Sequence, residues 1–195
     1  MNAQPTVLKA KSSADFLAAL PRLAGMRASE SLFLVLFDGS RTLGSARIDL
    51  PPAEQMVDPG PEISAWVRTV IEIAQKSDAV AVVVQTDVAL PESPMSSTYG
   101  ALTGALANSL RAAGCSVRDA LVVASNGWAS FVGTSFPELH SLDEITGSTL
   151  HDPEHELLTV DEWRAQHPGR TTEDPEEIAG MTAQMRAAGS KENRA

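Results

Sequence analysis

The chain has 195 residues, 43% of them hydrophobic, which suffices for one domain with a substantial core and leaves little room for two. A net charge of −10 and a pI near 4.8 exclude a nucleic-acid binder that works by displacing phosphate counterions with Lys and Arg. The single cysteine, Cys115, excludes an internal disulfide and a multi-cysteine zinc site.

These features predict a cytoplasmic protein. The first residues, MNAQPTVLKAKSS, contain no apolar signal-peptide core, and no apolar run approaches the length of a membrane span. The acidic excess is uneven: residues 151–195 carry more acidic than basic side chains, as solvated tails do.

In chain order, residues 1–11 read as a polar arm or an edge strand. Ser12 and Ser13 offer caps for a short helix in which Phe16, Leu17, Leu20 and Leu23 fall at helical spacing. Pro21 is expected to end or kink it, with Gly25 as the stop. Leu32–Phe37 is apolar at every position, which predicts a strand covered on both faces. Asp38-Gly39 marks a turn, and the partner strand runs from about Leu43 to Leu50, ended by Pro51-Pro52.

Residues 51–61 read as a loop. A helix over Glu62–Lys76 follows, with a stripe of Ile63, Trp66, Val67, Val70, Ile71 and Ala74. Residues 79–85, AVAVVVQ, predict a central strand parallel to a neighbour. After a loop over 86–96, Ser96 or Ser97 caps a helix that runs to Ala113. Its stripe is Tyr99, Leu102, Leu106 and Leu110, and Gly100 and Gly104 suggest close packing on the sheet. Val117–Ala124, an Asn126-Gly127 turn and Trp128–Val132 complete a second hairpin.

The pattern then becomes irregular. Residues 153–167 and 175–188 read as helices, and 189–195 as a frayed, disordered tail. Leu157, Val160 and Trp163 in the first of these helices require cover.

The expected fold class is therefore α/β. A mixed, centrally parallel sheet of about five strands carries two β-hairpins and is covered by helices. The α/β core is expected over 12–132, with an irregular and helical C-terminal extension over 133–188.

Chemistry concentrates where charge meets a covered strand. Alternation puts Ser45, Arg47 and Asp49 on one face of the second strand. As i and i+2 neighbours on a covered sheet, Arg47 and Asp49 are expected to pair. The functional reading makes Arg47 an anion contact held by Asp49; the ordinary alternative is a passive salt bridge at a solvated end of the sheet. Trp128, beside Asn126 and Ser130, offers a rigid apolar wall or is simply a core aromatic.

The segments ADFLAALPRLAGMRASESLFLVLFDG, ARIDLPP and RDALVVASNGWASF together resemble an uncharacterised bacterial family, domain of unknown function 4192, common in high-GC Gram-positive bacteria and their phages. The resemblance covers roughly residues 12–132. Its pattern falls on Pro21, Gly25, Glu30, Ser31 and Leu32, on Arg47, Asp49, Leu50 and Pro51, and on Trp128 and Ser130. Family members often carry cysteines after the Trp-Ser step. This chain has FVGTSFPELHS there, which puts a cysteine-dependent metal or redox role in doubt. The resemblance implies a fold and shared positions but no reaction.

Other motifs carry less. HDPEH at 151–155 spaces two histidines as a helical metal pair would, but Pro153 spoils that geometry. There is no G-x-S-x-G elbow for Ser130, Ser125 or any other serine, no G-x-G-x-x-G and no Walker loop. Cys115 has no base indicated beside it.

The expected function is binding of a protein partner or a small anionic ligand near the two hairpins, at a site built from Ser31, Arg47, Asp49, Trp128 and Ser130. No cofactor, metal, nucleic acid or membrane is expected to take part. The alternatives are an enzyme on a small anionic substrate at the same pocket, or an assembly subunit that docks through its C-terminal helices.

Overall fold

The computed structural model describes residues 9–57, 60–133, 136–154 and 157–166. The helix expected over 175–188 and the tail over 189–195 lie outside these. The core is an open five-stranded mixed sheet in the order β2-β1-β3-β4-β5. Its strands are β1 (Ser31–Asp38), β2 (Arg41–Asp49), β3 (Ala79–Gln85), β4 (Ser116–Ala124) and β5 (Gly127–Ser130). Only β3 and β4 run parallel; the two hairpins and the β1–β3 pair are antiparallel. The parallel character expected of the sheet centre is thus confined to one pair. Each hairpin adds an antiparallel edge.

Every residue from Ser31 to Phe37 is buried, as a strand covered on both faces requires. One face carries Leu32, Leu34, Val80, Val82, Ala120 and Val122. It packs under α3 (Pro61–Ala74) and α4 (Thr98–Ala112) through Val70, Ile73, Leu106 and Leu110. The opposite face carries Phe33, Val35, Val83, Leu121 and Trp128. It lies under α1 (Ser13–Ala24) through Leu17 and Leu20.

Helix α1 starts as expected, with Ser12 Oγ accepting from Asp15 N–H. It does not stop at Pro21. It continues to Ala24, where Gly25 in the left-handed region donates its N–H to the Pro21 carbonyl at 2.8 Å. Burial of Leu17 and Leu20 on either side of the missing hydrogen bond outweighs the proline penalty of about 3 kcal/mol.

The segment expected as a loop contains a single-turn helix, α2 (Ala53–Val57), too short to show a period. Two further helices, α5 (Asp143–Thr146) and α6 (Val160–Gln166), follow the sheet. The sequence did not suggest α5. Helix α6 begins seven residues later than the helix expected at 153, because Thr159 and Glu162 form a capping box there. Thr159 N–H donates to Glu162 Oε2 at 2.7 Å, and Glu162 N–H to Thr159 Oγ1 at 3.3 Å. Val160 and Trp163 pack against the α1-side core. The described part of the C-terminal extension therefore packs on the core. No helix among the described residues is long and apolar enough to cross a membrane.

Two glycines have reasons other than those expected. The second hairpin turns on Ser125 and Asn126, and Gly127 already pairs with Ala124 as the first residue of β5. Gly127 has no positive φ. A Cβ there would lie 2.5 Å from the His140 carbonyl, so glycine permits the 139–140 segment to lie against β5. In α4, a Cβ on Gly100 would lie 2.0 Å from the Pro94 carbonyl, so its close approach is to the preceding 3-10 turn and not to the sheet.

This contrast is testable in one helix. Gly104 has only Met95 Sδ and Cε at 3.7 Å around its missing Cβ. Urea unfolding should find Gly104→Ala stabilised by about 0.5–1 kcal/mol, as helix propensity dictates. Gly100→Ala should instead be destabilised by about 1–3 kcal/mol, because backbone would have to move.

Candidate functional site

The strand registers place all five expected site residues on the α1 side of the sheet, in two adjacent rows. One row runs Arg47, Phe33, Val83, Leu121, Ser130; the next runs Asp49, Ser31, Gln85, Val123, Trp128. The two groups stand at opposite ends of these rows. Four interstrand steps of about 4.8 Å separate β2 from β5, roughly 19 Å. The two hairpins do share one sheet, but β1, β3 and β4 come between the guanidinium and the indole.

The β2 group converges. Arg47 Nε donates to Ser31 Oγ at 2.9 Å, and Arg47 Nη2 is paired with Asp49 Oδ1. The Arg47 side chain is only 7% exposed, and its Nη1 is buried without a partner among the described residues. Asp49 is half exposed and faces Arg164 of α6 at 3.8 Å. Ser31 Oγ in turn donates to the Ser29 carbonyl at 2.8 Å. A continuous path therefore runs from Asp49 through Arg47 and Ser31 to Ser29.

Trp128 and Ser130 have other partners. Trp128 stacks on His140 with ring centroids 4.3 Å apart, and the two exchange backbone hydrogen bonds at 3.0 and 2.8 Å. Ser130 Oγ donates to Asp119 Oδ1 at 2.7 Å, and Ser13 Oγ donates to Asp119 Oδ2 at 2.5 Å. Alternation from Leu121 puts Asp119 on this face opposite Ala81, where it fastens the start of α1 to β4 and β5. Ser130 and Trp128 therefore hold the scaffold at this edge.

Between the two groups lies a cleft of about 490 Å³. Its floor contains Phe33, Gln85 and Val123, the interior members of the same two rows. Thr86 and Asp87 continue from β3, and Ala124 and Ser125 end β4, so the cleft opens at the carboxyl ends of the two parallel strands. Ligand sites of open α/β sheets gather at such ends. The roof is the second half of α1, the 26–29 segment, Leu142 and Ile145 at the start and in the middle of α5, and His151. Arg27, which also lines the cleft, is held by its N–H to the Leu158 carbonyl at 3.1 Å.

The cleft rim is fixed by Glu30, the one non-glycine residue with positive φ among the described residues, at 45°. Its carboxylate accepts from Thr86 Oγ1 at 2.6 Å, Asp87 N–H at 2.9 Å and Tyr99 Oη at 2.8 Å. Partial burial pushes the carboxyl upward, but the Thr86 hydroxyl, the Asp87 amide and the Tyr99 hydroxyl outweigh it. They hold Glu30 below the ordinary glutamate range. The far end of the 86–90 loop is held by Asn126, which donates to the Leu90 carbonyl and accepts from its N–H, both at 2.9 Å.

Sequence reasoning placed Glu30 in a family motif without giving it a role, and it passed over Arg27 and Gln85. Nothing in their local patterns marks Arg27 or Gln85; only the antiparallel β1–β3 pairing, which sets Gln85 opposite Ser31, brings them together. Of the HDPEH pair, His151 lines the cleft and His155 lies outside the described residues. Burial pushes the Cys115 thiol up, away from thiolate chemistry.

An open α/β sheet with this cleft between its two hairpins defines the class of the domain. The chain belongs to the family described as Domain of unknown function (DUF4192), whose model matches residues 14–193. That match runs well past the 12–132 segment covered by the quoted motifs. No curated protein and no solved structure matches the chain.

The depressed Glu30 carboxyl gives a signed pH dependence. Its contribution to stability is complete above about pH 4.5 and is lost as the pH falls through its lowered folded-state value. Glu30→Gln should therefore be less stable than the parent near neutrality, and the gap should close on acidification. Urea unfolding of both proteins from roughly pH 3 to 6 measures this; a gap that stays constant would remove Glu30 as the source.

Proposed function

We propose that the protein binds a small, partly apolar ligand bearing an anionic group in the cleft between α1 and the carboxyl ends of β3 and β4. One observation carries this reading. Arg27, Gln85, Asp87, Ser125 and His151 line a largely apolar cleft, and their side chains have no hydrogen bond or ion pair to any described residue. A pocket of a few hundred Å³ with an apolar body and a few converging polar groups suits a small molecule better than a protein surface.

Arg27, Gln85 and Ser125 offer donors to an anion, while Phe33 and Val123 receive its apolar part. Arg47, expected to be the anion contact itself, acts in this reading from behind the wall, holding Ser31 and through it the Ser29 carbonyl. Trp128 closes the edge of the sheet and does not touch the ligand. The lone cysteine favours action in a reducing cytoplasm.

Benzoate is the simplest probe, since it joins one carboxylate to one apolar ring. Titration of the full chain followed by amide NMR should shift Arg27, Ser29, Gln85, Thr86 and Ser125 together. Arg27→Ala should weaken binding by roughly tenfold, the worth of one charge-assisted hydrogen bond. Shifts scattered outside the cleft, or an affinity unchanged by Arg27→Ala, would set the reading aside.

A further inference from the structure

Helix α1 carries a proline at its ninth position, and the cleft lies against that part of the helix. An α-helical carbonyl is satisfied by the N–H four residues later, and Pro21 has none to give to Leu17. Among the described residues, no hydrogen bond from outside the helix reaches the Leu17 carbonyl either. Leu17, Ala18, Leu20 and Pro21 all line the cleft. The helix tolerates this gap, runs on to Ala24 and is capped by Gly25 N–H on the Pro21 carbonyl.

We propose that the Leu17 carbonyl, freed by Pro21, is a hydrogen-bond acceptor of the cleft, and that the cleft takes ligands which carry an N–H or O–H donor beside their anionic group. This rests on the reading of the cleft as an anion-binding site and adds a second polar requirement to it. Donors from Arg27, Gln85 and Ser125 meet the ligand from the sheet and from the 26–29 segment. The roof helix meets it with an acceptor that an unbroken helix would have consumed internally. A carboxylate-bearing amide satisfies both sides, its carboxylate toward Arg27 and its N–H toward Leu17.

The test uses the full chain and two probes that differ in one group: N-benzoylglycine, with an amide N–H, and benzoyloxyacetate, with an ester oxygen in its place. Calorimetry should find the amide bound roughly fivefold more tightly than the ester by the parent protein. Pro21→Ala supplies the missing N–H to Leu17, so the ratio of the two affinities should fall to about one, whatever the change in either affinity alone. The same substitution should raise the Tm of the unliganded protein by about 3 °C or more, since it completes a helix.

Equal affinity of the two probes for the parent overturns the inference and leaves the anion site standing. Binding of neither probe removes the anion site as well. A preference that survives Pro21→Ala, or a Tm that does not rise, shows that the Leu17 carbonyl is not the acceptor.

Discussion

The structure follows from one constraint: β1 is apolar on both faces, so both sides of a five-stranded sheet must be kept from water. The side under α3 and α4 is covered by two helices of 14 and 15 residues. The other side has α1 alone, and a helix about 10 Å across cannot span a sheet roughly 19 Å wide. The remainder is covered by shorter pieces, the 26–29 segment, α5 and α6, which meet α1 and the sheet from different directions. Where these pieces converge over the ends of β3 and β4, the cleft remains. It is a consequence of covering a wide sheet with one helix and short segments.

That account explains how far the sequence could be read. Local periodicity determines strands and long helices, so β1, β3, α3 and α4 were legible to within a few residues. The Arg47–Asp49 pair was legible too, because alternation alone places two charges side by side on a covered strand. The separation of Arg47 from Trp128 was not, because it depends on strand order. A hairpin reports its own pairing but not which edge it occupies, and here the two hairpins take opposite edges. Helices of four or five residues, α2 and α5, are shorter than two turns and leave no period to detect.

The two glycines make the same point on a smaller scale. Asn126-Gly127 resembles a hairpin turn and Gly100 a helix packed close to its sheet, and in both places a glycine is required. In both, the neighbour that requires it is a carbonyl outside the element where the glycine sits, His140 or Pro94. The sequence shows that a close approach occurs; only the tertiary fold shows to what.

The polar groups of the α1-side face divide by what they face. Away from the cleft lining they are mostly paired: Asp119 with Ser13 and Ser130, Asn126 with Leu90, Glu30 with Thr86, Asp87 and Tyr99. Around the cleft Arg27, Gln85, Asp87, Ser125 and His151 have unpaired side chains, while the backbone segments that bear most of them are anchored by such scaffold bonds. Glu30 holds Thr86 and Asp87, Leu158 holds Arg27, and Arg47 reaches Ser29 through Ser31. A site arranged in this way has its rim ordered before anything binds, so less of the interaction energy is consumed in fixing loops. The positive φ of Glu30 fits the same logic. A non-glycine residue is kept in that region at a cost of about 1–3 kcal/mol when its surroundings over-determine it, and three donors on one carboxylate do so here.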